Sequence, residues 1–364
     1  MSKIYELFGF APDQSDPGVN AGRRKAKCPF TEATCDGGGN RHQTKVVLDE
    51  NPDLANYFDN DLDEVIPGIC SLVHGSERWI VCPRRLMGFD HDGNGLPPVN
   101  SNLQDHERQT LIAGGLPTGV DLGVWAEVNL SYTANGERTN YKFDFVVAPL
   151  LRNKTLQQVQ QIHSLTDDQL DKAVSCARKG DLISGRRSPN MTVPVLPDLS
   201  HPYVIEVMTA STSGSEKRRR TNISAAFEDA ILKDDHEGPG INKRQVWGRM
   251  ATQLFAKSAL AQKWGGKTLW VVQEEFLKEI ELTTQLQIED SQTGGSSTVN
   301  FAWLEYKDDS RELESINAKS IQSGLSYTRS KTCADILLSQ FPPPKAELLN
   351  GILRRGALAA RLNL

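Results

Sequence analysis

Two short apolar runs limit what this chain can fold into: YVIEVMTAS from Tyr203 and KTLWVVQEEF from Lys267. Each holds a short run rich in β-branched and apolar residues, so each reads as a buried strand. Between them, ISAAFEDAILK reads as helical, and a longer helix is predicted from about Asn242. There Val246, Met250 and Leu254 lie four apart, with Trp247, Ala251 and Phe255 on the adjacent stripe. Gly265-Gly266 stops that helix. Upstream, VWAEVNLSYT alternates apolar and polar residues, ANGE supplies a turn and TNYKFDFVVAPL returns, which predicts a β-hairpin turning at Asn135-Gly136. Thr166, with Gln169 three residues on, forms a capping box for a helix ending near Gly180, and the proline-rich SPNMTVPVLPDLSHP then leads into the first buried strand. Hairpin, strand, helix, strand in this order predicts an α/β core with a mixed central sheet flanked by helices.

The 364 residues suggest two domains, or one large domain with an appendage. Turn clusters HDGNGLPP and IAGGLPTG make the stretch from Met87 to about Gly123 loop-like. The expected division is an N-terminal module over 1–110, a core over 111–340 and a tail over 341–364. In the tail, ELLNGILRRGALAARLNL is an amphipathic helix candidate, assigned to dimer packing or DNA clamping in preference to a membrane role. With 38% hydrophobic and 24% charged residues, the chain can build a core, and a net charge of −5 excludes a uniformly basic coating protein. No apolar run reaches membrane-spanning length and MSKIYELFGFAPDQ has no signal-peptide core, so a cytoplasmic location is expected. No fixed-period repeat is visible.

Six cysteines are too few for a disulfide scaffold in a chain this long. Four of them, Cys28, Cys35, Cys70 and Cys82, crowd the first quarter, at gaps of six, 34 and 11 residues. Two precede proline, in KCPF and VCPRR, which helps hold a tight turn around an ion. Four thiolates suit tetrahedral zinc or iron, but the spacing is not the paired pattern of a zinc ribbon. Ligands and buried free thiols both remain open on spacing alone, with His42 and His74 incidental. Cys176, in a predicted helix, and Cys333 read as packing residues.

The chemistry centres on Asp144 in KFDFVV and Glu206 in VIEVM, each a carboxylate inside an apolar strand. Burying one is costly unless it is paired or binds a cation, and two on neighbouring strands could hold Mg2+. The alternative is two strand-end carboxylates facing solvent. After Glu206 come the hydroxyls of Thr209, Ser211, Thr212, Ser213 and Ser215, then the cations Lys217, Arg218, Arg219 and Arg220. Such a set suits a phosphate backbone. From Ser211 to Lys263 there are ten Lys/Arg against six Asp/Glu, so an acidic chain carries a locally basic segment.

These residues together resemble the NotI-type restriction endonucleases, a branch of the PD-(D/E)XK nucleases. The resemblance covers most of the chain. It rests on KCPF with three further cysteines ending in WIVCPRRL, on FDF at Asp144, on VIEVMTASTSGS around Glu206, and on NKRQVWGRMATQLFAKSALAQKWGGKTLWVVQ. It implies a restriction-endonuclease-like core with an N-terminal four-cysteine module holding iron or zinc. It also implies a homodimeric type II enzyme that cuts double-stranded DNA at a palindromic, GC-rich site with Mg2+. Asp144 and Glu206 would be the metal-binding carboxylates, and a metal-activated water would attack phosphorus. No membrane partner is implied.

The chain departs from the pattern at Met208. Two residues after the strand glutamate the superfamily usually places lysine, and this branch glutamine. A thioether can neither orient nor activate water. Three explanations stand: another residue has the role, with Lys217 or Glu228 as candidates; the metal suffices; or the protein binds DNA and cuts weakly or not at all. Arg186 and Arg187 could read guanine in the major groove. Arg84 and Arg85, with Arg23, Arg24 and Lys25, would line the cysteine module for phosphate contact. The competing functions are a catalytically weak or inactive metal-stabilised DNA-binding protein and a nuclease dependent on modified bases.

Overall fold

A computed structural model describes residues 2–38, 44–89, 96–185, 188, 190–213, 218–233, 235–283, 289–290, 298–307, 310–322 and 342–364. Its centre is a nine-stranded mixed sheet. The hairpin forms as the alternation requires: strands Leu122–Ala134 and Glu137–Thr155 meet at Asn135 and Gly136, with φ of 51° and 83°. Positive φ at both turn positions matches the twist of a tight hairpin. The hairpin's second strand pairs antiparallel with Tyr203–Met208, which runs parallel to Lys267–Gln273, and that in turn parallel to Thr298–Tyr306. Leu313–Gln322 and Glu289–Asp290 complete that side, and Ala360–Leu362 closes the other against the hairpin.

Helices cover both faces, so the predicted mixed sheet between helices is present. On one face Val204, Phe143 and Leu130 pack against the capped helix Asp167–Lys179, the end of the long helix Lys243–Lys263 and the tail helix Lys345–Arg355. The other face buries Ile205, Val207, Phe145, Val124, Leu269 and Val271. Alternation changes phase once within the hairpin. Val124 and Ala126 belong to one face while Val128 and Leu130 belong to the other; Phe145 and Phe143 divide in the same way. The residues between, Glu127 and Asp144, drop out of the ladder, and Glu127 adopts φ of 55°. One residue is skipped on each strand and the register is unchanged beyond it, so this paired break re-aims side chains without ending the sheet.

Three sequence expectations are corrected here. The stretch read as loop contains the helix Asp105–Ala113, started by a Gln104/Glu107 capping box. The Glu-Glu-Phe end of KTLWVVQEEF leaves the sheet and opens the helix Glu274–Thr283. The tail is no free amphipathic element: Leu348, Leu349, Ile352 and Leu353 are at most 2% exposed against the chain's own sheet. Each such burial is worth about 1.5–3 kcal/mol, so its apolar stripe is used internally.

The first 110 residues build a three-stranded antiparallel sheet from Ser2–Leu7, Ile69–His74 and Glu77–Ile80. Its core of Phe8, Leu54, Phe58 and Leu72 also takes Ala226, Phe227 and Ala230 from the helix Ile223–Leu232. Buried Glu6 accepts hydrogen bonds from Arg85 Nε at 3.0 Å, Ser71 Oγ at 2.7 Å and the Tyr306 hydroxyl at 2.6 Å. Tyr306 lies on the central sheet, so the cysteine-rich region is stitched into the core.

Candidate active site

Asp144 and Glu206 arrive at one place because the strands that carry them part there. Their ladder runs through Val147/Tyr203 and Val146/Val204 to Phe145/Ile205, and the next residues are the two carboxylates. Asp144 Oδ2 accepts the backbone N–H of Val207 at 2.9 Å, which fixes its carboxyl across the strand gap. Glu206 is 1% exposed, and both line a pocket of about 260 Å³ together with Met208, Ser211, Glu127 and Lys142. Glu127, at the break in the ladder, is ion-paired to Lys142. The alternative of two solvent-facing strand ends is thereby replaced by a buried Glu206 and a half-buried Asp144 at a pocket.

A residue that sequence reasoning did not single out joins them. Lys257, 7% exposed on the long helix, donates from Nζ to Glu206 Oε2 at 2.5 Å and lies 5.8 Å from the centre of the Phe143 ring. Glu206 Oε1 is buried and has no hydrogen-bond partner. Burial pushes the Glu206 carboxyl well above its usual value and neighbouring Asp144 adds to this, while Lys257 opposes both. Asp144 is raised by burial as well, against the pull of Lys257 and of the Val207 amide. Two desolvated carboxylates, one orphan oxygen and a single internal ammonium make a site short of positive charge. A divalent cation would supply it through oxygen ligands.

The signal for Lys257 was in the helix pattern. It lies seven residues after Met250 and three after Leu254, both at most 3% exposed, so it is a lysine on the apolar stripe. Of the two residues proposed to replace Met208, Lys217 lies outside the described residues. Glu228 pairs with Arg220 at 3.2 Å on the helix Ile223–Leu232 and is not part of the pocket wall.

The expected DNA-contact cations divide. Arg218 and Arg219 are exposed. Arg220 is held by Asp229 through two 2.8 Å hydrogen bonds, which raises its pKa, so it braces its own helix instead of offering a free charge. Arg85 is 4% exposed and belongs to the Glu6 network. Arg84 reaches Asp36 at 3.0 Å across the cysteine region. Arg23 is buried and donates to the carbonyls of Ala11 and Gln14 at 2.5 and 2.9 Å, whereas Arg24 and Lys25 are exposed. Arg23 and Arg85 are thus buried with their guanidinium groups directed inside the fold. Ser211 lines the pocket; the side chain of Ser213 and all of Arg186 and Arg187 lie outside the described residues.

The four N-terminal cysteines do share one locus. Cys28, Cys70 and Cys82 form a buried cluster with Phe30, and Cys35 acts electrostatically on Cys70 and Cys82. Burial and the neighbouring thiols push Cys35 up to about 12 and Cys70 and Cys82 well above the usual range. The amides of Gly37 and Arg84 hydrogen-bond the sulfurs of Cys35 and Cys82 and pull the other way. Donor chemistry thus fits a thiolate-bound ion. As positioned, however, no group of three or more His, Cys, Asp or Glu among the described residues could hold a metal ion. His74 is engaged elsewhere, with Ser2 at 2.9 Å, and His42 and Cys333 lie outside the described residues. Cys176 is a buried packing residue, as expected.

Among the described residues no helix is long and apolar enough to cross a membrane. No protein-family model and no curated protein matches the chain.

Proposed function

We propose that this chain is a Mg2+-dependent, site-specific endonuclease of double-stranded DNA with a PD-(D/E)XK core. On this reading it acts as a homodimer on a palindromic, GC-rich site in the manner of the NotI-type enzymes. One observation carries the reading: Asp144 and Glu206 meet at a pocket on adjacent strands, with Glu206 Oε1 buried and unpartnered. A purely structural pair of carboxylates would have no reason to leave that oxygen orphaned.

A divalent cation held by Asp144 and Glu206 would polarise the phosphodiester and ease deprotonation of water. The chain's own contribution is placement. The Val207 amide fixes Asp144 and Lys257 fixes Glu206, and both carboxylates are carried by strands of the central sheet, which hold position better than loops do. Exposed Arg218 and Arg219 would meet the DNA backbone. Cys28, Cys35, Cys70 and Cys82 would hold iron or zinc as a structural ion.

The test is incubation with unmethylated phage DNA, in Mg2+ and in EDTA, read on a gel. Discrete fragments in Mg2+ alone are expected, and their ends map the site. Intact DNA with a retained gel shift would replace this reading by a metal-stabilised DNA-binding protein, the alternative that Met208 favours. Cutting confined to modified DNA would make it a modification-dependent nuclease.

A further inference from the structure

We propose that Lys257 is the catalytic lysine of this pocket, delivered from the long helix because strand position 208 holds a methionine. The inference rests on the nuclease reading above and adds a residue to it.

Met208 shares a strand face with Glu206 and reaches the pocket wall, but it packs with the apolar cluster of Trp79, Met250 and Leu254. Its thioether has no proton to donate. Met250 and Leu254 come from the long helix, and the next residue of their stripe is Lys257. The helix residues that cover Met208 therefore aim the lysine at Glu206, one strand position away. Nζ sits 2.5 Å from Glu206 Oε2, a carboxylate that itself lines the pocket, so the ammonium is one hydrogen bond from the reaction space. Stability alone does not account for it. A buried ion pair of this kind is commonly replaceable by packed apolar residues at no loss, and Lys257 already lies on an apolar stripe against Phe143.

In the reaction, a water oxygen forms a bond to phosphorus while the bond from phosphorus to the leaving sugar oxygen breaks. The water's proton passes to solvent and the leaving oxygen takes one from solvent, so the balance is one phosphodiester plus water giving a phosphomonoester and an alcohol. Lys257, with three donors, holds the attacking water or a phosphoryl oxygen and offsets the charge that builds there.

The test compares the parent with Lys257→Met and with the double variant Met208→Lys/Lys257→Met, which moves the lysine to the strand. Cleavage of unmethylated phage DNA is measured in Mg2+, binding of the same DNA in Ca2+, and thermal stability without cation. Lys257→Met is expected to cut at least about 100-fold more slowly while keeping DNA binding, and to melt lower because Glu206 loses its buried partner; the double variant is expected to recover at least about tenfold of the cutting. Undiminished cutting by Lys257→Met overturns the inference and leaves the nuclease reading intact. A double variant as slow as Lys257→Met also overturns it, because a lysine that serves only the fold is not replaced from position 208. A parent that fails to cut removes the nuclease reading, and this inference with it.

Discussion

The carboxylate pocket and the cysteine cluster are both buried polar sets, and they answer desolvation in opposite ways. The pocket carries its own counter-charge: Lys257 is tied to Glu206, and Lys142 to Glu127. Its members stand on strands of the central sheet and a helix, so the arrangement exists before any ligand arrives. The cysteines stand mostly at strand ends and in connections. Their neighbours in the cluster are other thiols, each making it harder for the next to ionise. One set is partly neutralised by the protein; the other is held in its uncharged form by burial and by the neighbouring thiols.

The largest effect that separates them concerns Asp144. On the proposed function, Asp144→Ala is expected to lower cleavage at least about 1,000-fold while specific DNA binding persists, since the proposed phosphate contacts are other residues. Undiminished cutting would remove Asp144 from the mechanism. Cys70→Ser comes next. It should strip iron or zinc from the purified protein and lower its melting temperature, where elemental analysis of the parent finds at least about half an equivalent of metal. A parent below that level contradicts the four-cysteine site.

A pH series sharpens the contrast further. Both pocket carboxyls have raised values in the folded protein, so their protonated forms persist above the ordinary carboxylate range and compete with a cation. Cleavage should therefore rise with pH through that range and then level off; a rate that is flat or falls there would contradict it. The same shift has a stability consequence. A carboxyl whose value is raised by folding favours the folded state when protonated, and that contribution fades as pH rises through the folded value. The smallest effect follows: without cation, Asp144→Asn should melt about 1–2 °C above the parent, with the gap widening as pH rises. A lower melting temperature would show that the carboxylate is a net stabiliser.

How much of this was legible in the sequence follows from what pattern can encode. Asp144 and Glu206 were visible because an acid inside an apolar strand violates a period of two. Lys257 broke a helical stripe in the same way, but a lysine's long stem makes that violation common. Arg23 and Arg85 could not be told from surface cations, because the carbonyls and the Glu6 carboxylate that receive them are distant in sequence or scattered over a loop. The helix Asp105–Ala113 was hidden by the glycine- and proline-rich segments on either side of it. The tail's apolar stripe was correctly seen; its partner, the chain's own sheet, was beyond what a local pattern specifies.

The Glu6 network has a consequence in time. Its acceptor is made first, Ser71 and Arg85 follow within 79 residues, and the Tyr306 hydroxyl arrives 300 residues later. At translation rates of about 5–20 residues per second that delay is roughly 15–60 s. Throughout it the early strands can pair with one another but cannot complete the enclosure of that carboxylate. A cell making this protein therefore passes through an interval in which the cysteine-bearing layer exists without the sheet that finishes it. A ribosome stalled in that interval would present a nascent chain with an acid half enclosed, a natural target for chaperones or proteases.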